Sequence, residues 1–209
     1  MRQQVIIPWR DAGCTYRRHH FEFLVDYYSQ EFDVVIGDNE GDFNRSAARN
    51  EGVRKSNSPI AVVIDADNFI PHQQIHHAIW IADKRNALVK PFQFFGYLTE
   101  EATDIFYQHF GISEIEPMFI DPPQEDFTGG AYVMKKEIWE GIGGMDEGFI
   151  GWGAEDDAFH LLVEKKVGPV RYLQQGEQDW HLYHPAHRVT SGYNYNKLMT
   201  EYVNGNKPS

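Results

Sequence analysis

The sequence predicts an α/β domain built on a mostly parallel sheet with helices on both faces. Three observations predict it. Short apolar runs recur at residues 4–8 (QVIIP), 32–37 (FDVVIG) and 59–64 (PIAVVI). Continuous rather than alternating apolar runs of this length mark strands buried on both faces. The segments between them carry helical periodicity, and a strand–helix–strand–helix–strand order implies right-handed crossovers and parallel pairing.

Taken in order, QVIIP is the first strand. Phe21, Leu24, Val25 and Tyr28 then recur at helical spacing. FDVVIG is the second strand, and a helix follows over about residues 45–55. PIAVVI is the third. Pro71 suits the first turn of the next helix, whose buried face would carry Ile75, Ala78, Ile79 and Ala82. Beyond this point the pattern is less regular. A helix is expected over 99–110 and a loop over 112–126, which holds Pro117, Pro122 and Pro123. A strand at 131–134 and a short helix at 135–140 come next. The glycine-rich stretch 141–153 is expected to be a mobile loop. Phe159, Leu162 and Val163 place a helix over 155–166, with a short strand at 170–173. The tail after His187 is polar and expected to be only partly ordered.

Composition narrows the function. A net charge of −12 argues against broad binding to nucleic acid, whose phosphates require a basic surface, so a duplex is not the expected partner. The acidity suits a divalent cation. No stretch approaches the roughly 20 apolar residues of a membrane helix. A single cysteine, Cys14, fits a reducing compartment, and the N-terminus does not read as a signal peptide; a cytoplasmic setting is the expectation.

Four groups of residues carry chemistry. Asp65 and Asp67 follow the third strand as D-A-D. Carboxylates at i and i+2 beyond a parallel strand can converge on a hard cation that bridges phosphates; a helix cap or solvated turn is the plain alternative. His181 and His184 offer nitrogen ligands suited to late divalent metals such as Mn²⁺. In a regular strand they would face opposite ways, so either one binds or a turn before Pro185 brings both inward. Glu155, Asp156 and Asp157 follow Gly151-Trp152-Gly153. Acids at a helix start are explained by the helix dipole alone. Trp152 between two glycines is not; it offers a flat platform for a sugar ring, beside a carboxylate able to act as general base. Arg10 and Arg45 can fork onto phosphate, and Phe43 can stack on a base.

In chain order IIPWR, FNRSAARNEG, VVIDADNFIP and FTGGAYVMKKEIWEGIGGMDEGFIGWGAEDDAFHLLV resemble the β-1,4-galactosyltransferase family. They also resemble its relatives, among them polypeptide N-acetylgalactosaminyltransferases and bacterial chondroitin-type polymerases. The likeness runs from about Val5 to His184, and GWGAEDD is its most specific part. It implies the GT-A fold, a single domain with a mixed, mostly parallel sheet, a UDP-sugar donor and Mn²⁺ (or Mg²⁺). It divides the chain into a nucleotide-binding half over 1–95, an acceptor and catalytic half over 96–187, and a tail over 188–209.

Carried over by position, Arg10 and Arg45 match diphosphate-binding arginines and Phe43 a neighbour of the uracil. Pro8, Asp38, Asp65, Gly130 and Trp152 join them on the donor side. Asp67 matches the metal-ligating aspartate and His184 the downstream histidine, with His181 as a further ligand. Trp152 also faces the acceptor, together with Asp156 and Asp157. Glu155 and Asp156 match the acidic catalytic pair, with Asp156 at the place of the base in inverting members. Ala154 departs from a common glycine and Ala158 from a third acid. The missing anchor and stem of the animal enzymes point to a bacterial or viral source, and the acceptor (glycan, protein or another hydroxyl compound) stays open.

The reaction so implied is inverting transfer of a hexose or N-acetylhexosamine. Its rivals are a retaining transferase on the same fold, a nucleotidyltransferase, a glycosidase and a silent nucleotide-sugar-binding module. The N-terminal segment has too few glycines to cradle phosphate, which disfavours the second. Adjacent helical carboxylates cannot face each other across a glycosidic bond, which disfavours the third.

Overall fold

The computed structural model describes residues 2–109, 121–185 and 192–204. Its main sheet has six strands: β1 (Gln4–Pro8), β2 (Asp33–Gly37), β3 (Ile60–Ile64), β5 (Val89–Lys90), β8 (Ala131–Lys135) and β9 (Arg171–Tyr172), in the order β2-β1-β3-β8-β5-β9. Strands β1, β2 and β3 are parallel, as are β5 and β9, whereas β8 runs antiparallel to both β3 and β5. The sheet is therefore mixed. Helices α1 (Thr15–Ser29), α2 (Arg45–Lys55), α3 (His72–Arg85), α5 (Lys136–Ile142) and α6 (Glu155–Lys166) cover it, and α4 (Glu100–His109) lies in the second half.

The apolar runs are continuous because alternate residues serve two cores. Along β3, Ile60, Val62 and Ile64 enter one cluster with Leu24 and Tyr28 of α1 and Ile75, Ala78 and Ala82 of α3. Ala61 and Val63 enter the other, with Val53 of α2, Trp139 of α5, and Phe159 and Val163 of α6. Helix α2 sits so close to the sheet that a Cβ on Gly52 would lie 2.3 Å from Ile6 Cγ2, and one on Gly37 2.1 Å from the Ala48 carbonyl oxygen. That approach holds the first turn of α2, capped by the Asn44 side chain, against the C-terminal ends of the strands.

Several expectations change. A second sheet was not foreseen: β4 (Asn68–Phe69), β10 (Gln178–His181), β6 (Phe94–Tyr97) and β7 (Gln124–Glu125), paired in that order. Gly141 and Ile142 belong to α5, because the left-handed cap that ends the helix falls at Gly143. Part of the supposed tail is helical: α7 (Gly192–Lys197) continues into a π-helix (Leu198–Val203). Its Asn194 is fully buried and bonds the backbone of Ile150 and Gly153, so the stretch 150–153 is fastened here. Phe110, most of the proline-bearing loop (112–120, including Pro117) and residues 186–191 lie outside the described residues. No described helix is long and apolar enough to cross a membrane.

Candidate active site

A cavity of about 670 Å³ opens beyond the C-terminal ends of β1 and β3, where open α/β sheets bind ligands. Pro8 closes β1, Asp65–Asn68 follow β3, and Gly129 and Gly130 lead into β8; all line the cavity. So do Phe43, Arg45, Trp152, Asp156, Asp157, His181 and His184.

Within it Asp67, His181 and His184 place one ligand atom each within 4.8 Å of the others, the only such group among the described residues. His184 Nε2 lies 3.2 Å from Asp67 Oδ2, and His181 Nε2 3.9 Å from Oδ1. Pairing explains the meeting. His181 is the register partner of Asn68 in the β10–β4 ladder, and the Leu182 amide extends it by donating to the Asp67 carbonyl. The chain then leaves strand geometry, so i and i+3 converge instead of opposing. His20 braces this turn: its Nε2 bonds the Tyr183 carbonyl and its Nδ1 the Tyr107 hydroxyl. Burial lowers the His20 pKa to about 4, leaving a neutral ring that donates at one nitrogen and accepts at the other. Burial raises the Asp67 carboxyl, but His181, His184 and Arg17 outweigh it and hold it well below the usual range. A buried, ionised carboxylate with two imidazoles is a donor set that fits a divalent metal ion.

Asp156 lines the same cavity. Its Oδ1 accepts from Arg49 Nη1 at 2.7 Å and from the Tyr132 hydroxyl, while Oδ2 has no hydrogen-bond partner among the described residues. Arg49 is fully buried and also grips Asp65 through both oxygens, at 2.6 and 2.9 Å. Burial pushes Asp156 up; Arg49, Arg45, the Tyr132 hydroxyl and Lys90 prevail and hold it at about 2. Asp157 accepts from Thr128 Oγ1 at 2.7 Å. Trp152 is 40% exposed on the rim. Ala154, where the resemblance expects glycine, adopts a left-handed φ of 72° ahead of α6, a conformation a Cβ disfavours by roughly 1–2 kcal/mol.

Not every expected residue faces the cavity. Arg10 binds Asp38 at 2.7 Å and the carbonyls of Asn39 and Gly41, with its guanidinium 5.7 Å from the Phe43 ring centre. Arg10 and Asp38 thus buttress the loop that carries Phe43, and neither lines the cavity. Glu155 is 3% exposed behind the wall, paired with Arg45. Three residues with a part here escaped sequence reasoning: Arg17, Arg49 and Tyr132. Arg17 lines the cavity with Nε 3.5 Å from Asp67 Oδ2. Its helical offset from the first strand gave no sign of this. Arg49 had a sign, since it follows Arg45 by one helical turn.

Arg49 is also a stability element. Replacing it with methionine removes the one buried cation that bonds both Asp65 and Asp156 among the described residues. The variant is expected to lose about 3–5 kcal/mol in denaturant unfolding at pH 7. Because Asp156 titrates at about 2 when folded against 3.8 unfolded, the part of the stability tied to its ionisation is fully present above pH 3.8 and is lost as pH falls toward 2, whereas burial raises the Asp65 carboxyl, so Asp65 works in the opposite direction. A loss under 1 kcal/mol would show the network to be dispensable.

A mixed sheet with an acidic and imidazole cluster beyond its strand ends, and a further carboxylate lining the same cavity, is the arrangement expected of the GT-A fold. The profile of glycosyl transferase family 2 matches residues 18–142, more than half of the chain. The profile described as the N-terminal domain of galactosyltransferase matches residues 109–185. The chain belongs to glycosyl transferase family 2 and is a glycosyltransferase. Solved structures share its fold. A Drosophila β-1,4-galactosyltransferase 7 mutant complexed with manganese, UDP-Gal and xylobiose superposes at TM-score 0.58, with 15% identity over 99% of this chain and 80% of that one. GalNAc-T7 with UDP, GalNAc and Mn²⁺ gives 0.57, with 14% identity over 97% and 48%. S. aureus TarS with UDP-GlcNAc gives 0.58, with 11% identity over 92% and 62%. No curated protein sequence matches the chain.

Proposed function

We propose that this glycosyltransferase moves a hexose or N-acetylhexosamine from a UDP-sugar to an acceptor hydroxyl, with inversion and with Mn²⁺ or Mg²⁺. The observation that carries the reading is one cavity lined by both a metal-ligand cluster and a carboxylate with a free oxygen. Asp67, His181 and His184 would hold the metal, which supplies Lewis-acid neutralisation of the leaving diphosphate. Arg17 and Arg45, both lining the cavity, add fixed positive charge to the same diphosphate. Phe43 borders the nucleobase. Asp156 Oδ2 takes the acceptor proton as the oxygen attacks the anomeric carbon from the face opposite the departing UDP. Trp152 and Asp157 frame the acceptor on the rim. The bound metals, UDP-sugars and xylobiose of the structures with this fold support this donor and acceptor chemistry.

A donor panel tests it. Thermal shift with Mn²⁺ and a set of UDP-sugars, followed by mass spectrometry of products, is expected to single out one or two donors. Equal, negligible shifts across the panel would refute the UDP-sugar assignment.

A further inference from the structure

We propose that Lys90 is a positioning residue for the transferred sugar: by gripping two consecutive carbonyls behind the cavity wall, it turns the amides of Gly129 and Gly130 into the cavity as a pair of hydrogen-bond donors. The inference rests on the nucleotide-sugar reading above and specifies how the sugar is held.

Lys90 ends β5 and has no solvent exposure. Its Nζ donates to the Thr128 and Gly129 carbonyls, each at 2.6 Å, and lies 3.9 Å from the centre of the Tyr132 ring. It does not line the cavity, so it touches no substrate. A buried amine is costly to keep: burial lowers its pKa to about 7, against the pull of Asp156 and Asp179. An apolar side chain would fill the same slot without that cost. What only a donor provides here is a fixed orientation for two successive peptide planes.

Those planes have a second edge. Every described peptide is trans, so the N–H of each plane points opposite to its carbonyl. With the carbonyls of Thr128 and Gly129 turned onto Lys90, the N–H groups of Gly129 and Gly130 are directed away from it. Thr128, Gly129 and Gly130 all line the cavity, and no described residue accepts from either amide. Gly130 needs glycine for its backbone conformation, and at Gly129 a side chain would displace the Asp156 carboxylate. A Cβ on Gly129 would lie 2.9 Å from Asp156 Oδ2; one on Gly130, where φ is +82°, would lie 2.7 Å from Asp179 Oδ2. Successive outward amides form a concave donor site for an oxygen atom.

Position selects which oxygen. Gly129 borders Asp156, and the Gly130 carbonyl accepts from the Asp65 amide. A Cβ on Gly130 would also lie 3.1 Å from Asn68 Nδ2, next to Asp67, so the pair stands between the metal cluster that would hold the diphosphate and the carboxylate that would receive the acceptor proton. In a UDP-sugar the group lying between these points is the transferred sugar, so the oxygen is one of its own.

The test uses the full chain with Mn²⁺, titrated with UDP and with the UDP-sugar that the wild type binds best. Lys90→Met should keep its UDP affinity within about twofold, bind the UDP-sugar about tenfold more weakly and turn over more slowly, on the scale of lost oriented hydrogen bonds. In the wild type, the amide proton resonances of Gly129 and Gly130 should shift further with UDP-sugar than with UDP. The second measurement decides alone if Lys90→Met does not fold. Equal loss of UDP and UDP-sugar binding, unchanged UDP-sugar binding and turnover, or glycine amides that respond no further to the sugar would overturn the proposal. A wild type that binds a UDP-sugar while Lys90→Met matches it removes this proposal alone. A wild type that binds no UDP-sugar removes the donor reading and this proposal together.

Discussion

Asp156→Asn is expected to bind Mn²⁺ and UDP-sugar like the wild type and to lose about 10²-fold or more in transfer rate, the scale of losing a general base. Asparagine keeps the side chain's shape and an oxygen for Arg49 and Tyr132 but cannot take a proton. The low pKa of Asp156, about 2, bears on this. A carboxylate that ionises so readily is a weak base toward a free alcohol. It suffices when the proton leaves late, after bonding to the anomeric carbon has made the acceptor oxygen strongly acidic. The same value fixes a pH consequence: Asp156 stays ionised throughout the neutral range, so any loss of rate between pH 7 and 5 belongs to other groups. From an α-linked donor the product should be β. Steady-state kinetics of Asp156→Asn with NMR of the product checks both points. Near-normal turnover would remove Asp156 from the base role, and an α product would favour a retaining course.

The second large effect concerns Asp67. Its carboxylate sits within reach of both histidines, and UDP would complete the coordination with its own oxygens. UDP and Mn²⁺ should therefore stabilise the wild type together by more than the sum of their separate thermal shifts, because each supplies ligands or charge to the other. Asp67→Ala should abolish that synergy and reduce transfer to background. A variant that binds Mn²⁺ and UDP as tightly as the wild type would relocate the metal site.

Much of this arrangement was legible because the parallel core writes itself into local sequence. The run IAVVI marks β3 since both its faces are buried, and that alone puts Asp65 and Asp67 at a strand's C-terminal end. The helix limits at Arg45–Lys55 and Glu155–Lys166 also agree with the sequence, the second through the helical spacing of Phe159, Leu162 and Val163. The second sheet was not legible. Strands such as Asn68–Phe69 and Gln178–His181 are two to four residues long, too short for a period, and exist through pairing with residues more than 100 positions away. For that reason the sequence left open whether both histidines turn inward, whereas the β10–β4 register decides where His181 lies. Charges were the hardest to place. Nothing local distinguishes Arg10, spent on the loop of Asp38 and Gly41, from Arg49, buried between two aspartates. Side-chain direction at a strand end is a tertiary outcome, and a buried arginine or lysine is defined by partners distant in sequence.

One cavity is proposed to join a metal-held UDP-sugar to a base. The most direct measurement is the time course of UDP release from the preferred UDP-sugar, with acceptor present, in Mn²⁺ and then in excess chelator. UDP release should keep step with glycosylated product in Mn²⁺ and should be lost when the metal is removed. Product formed at the same rate in chelator would contradict that proposal.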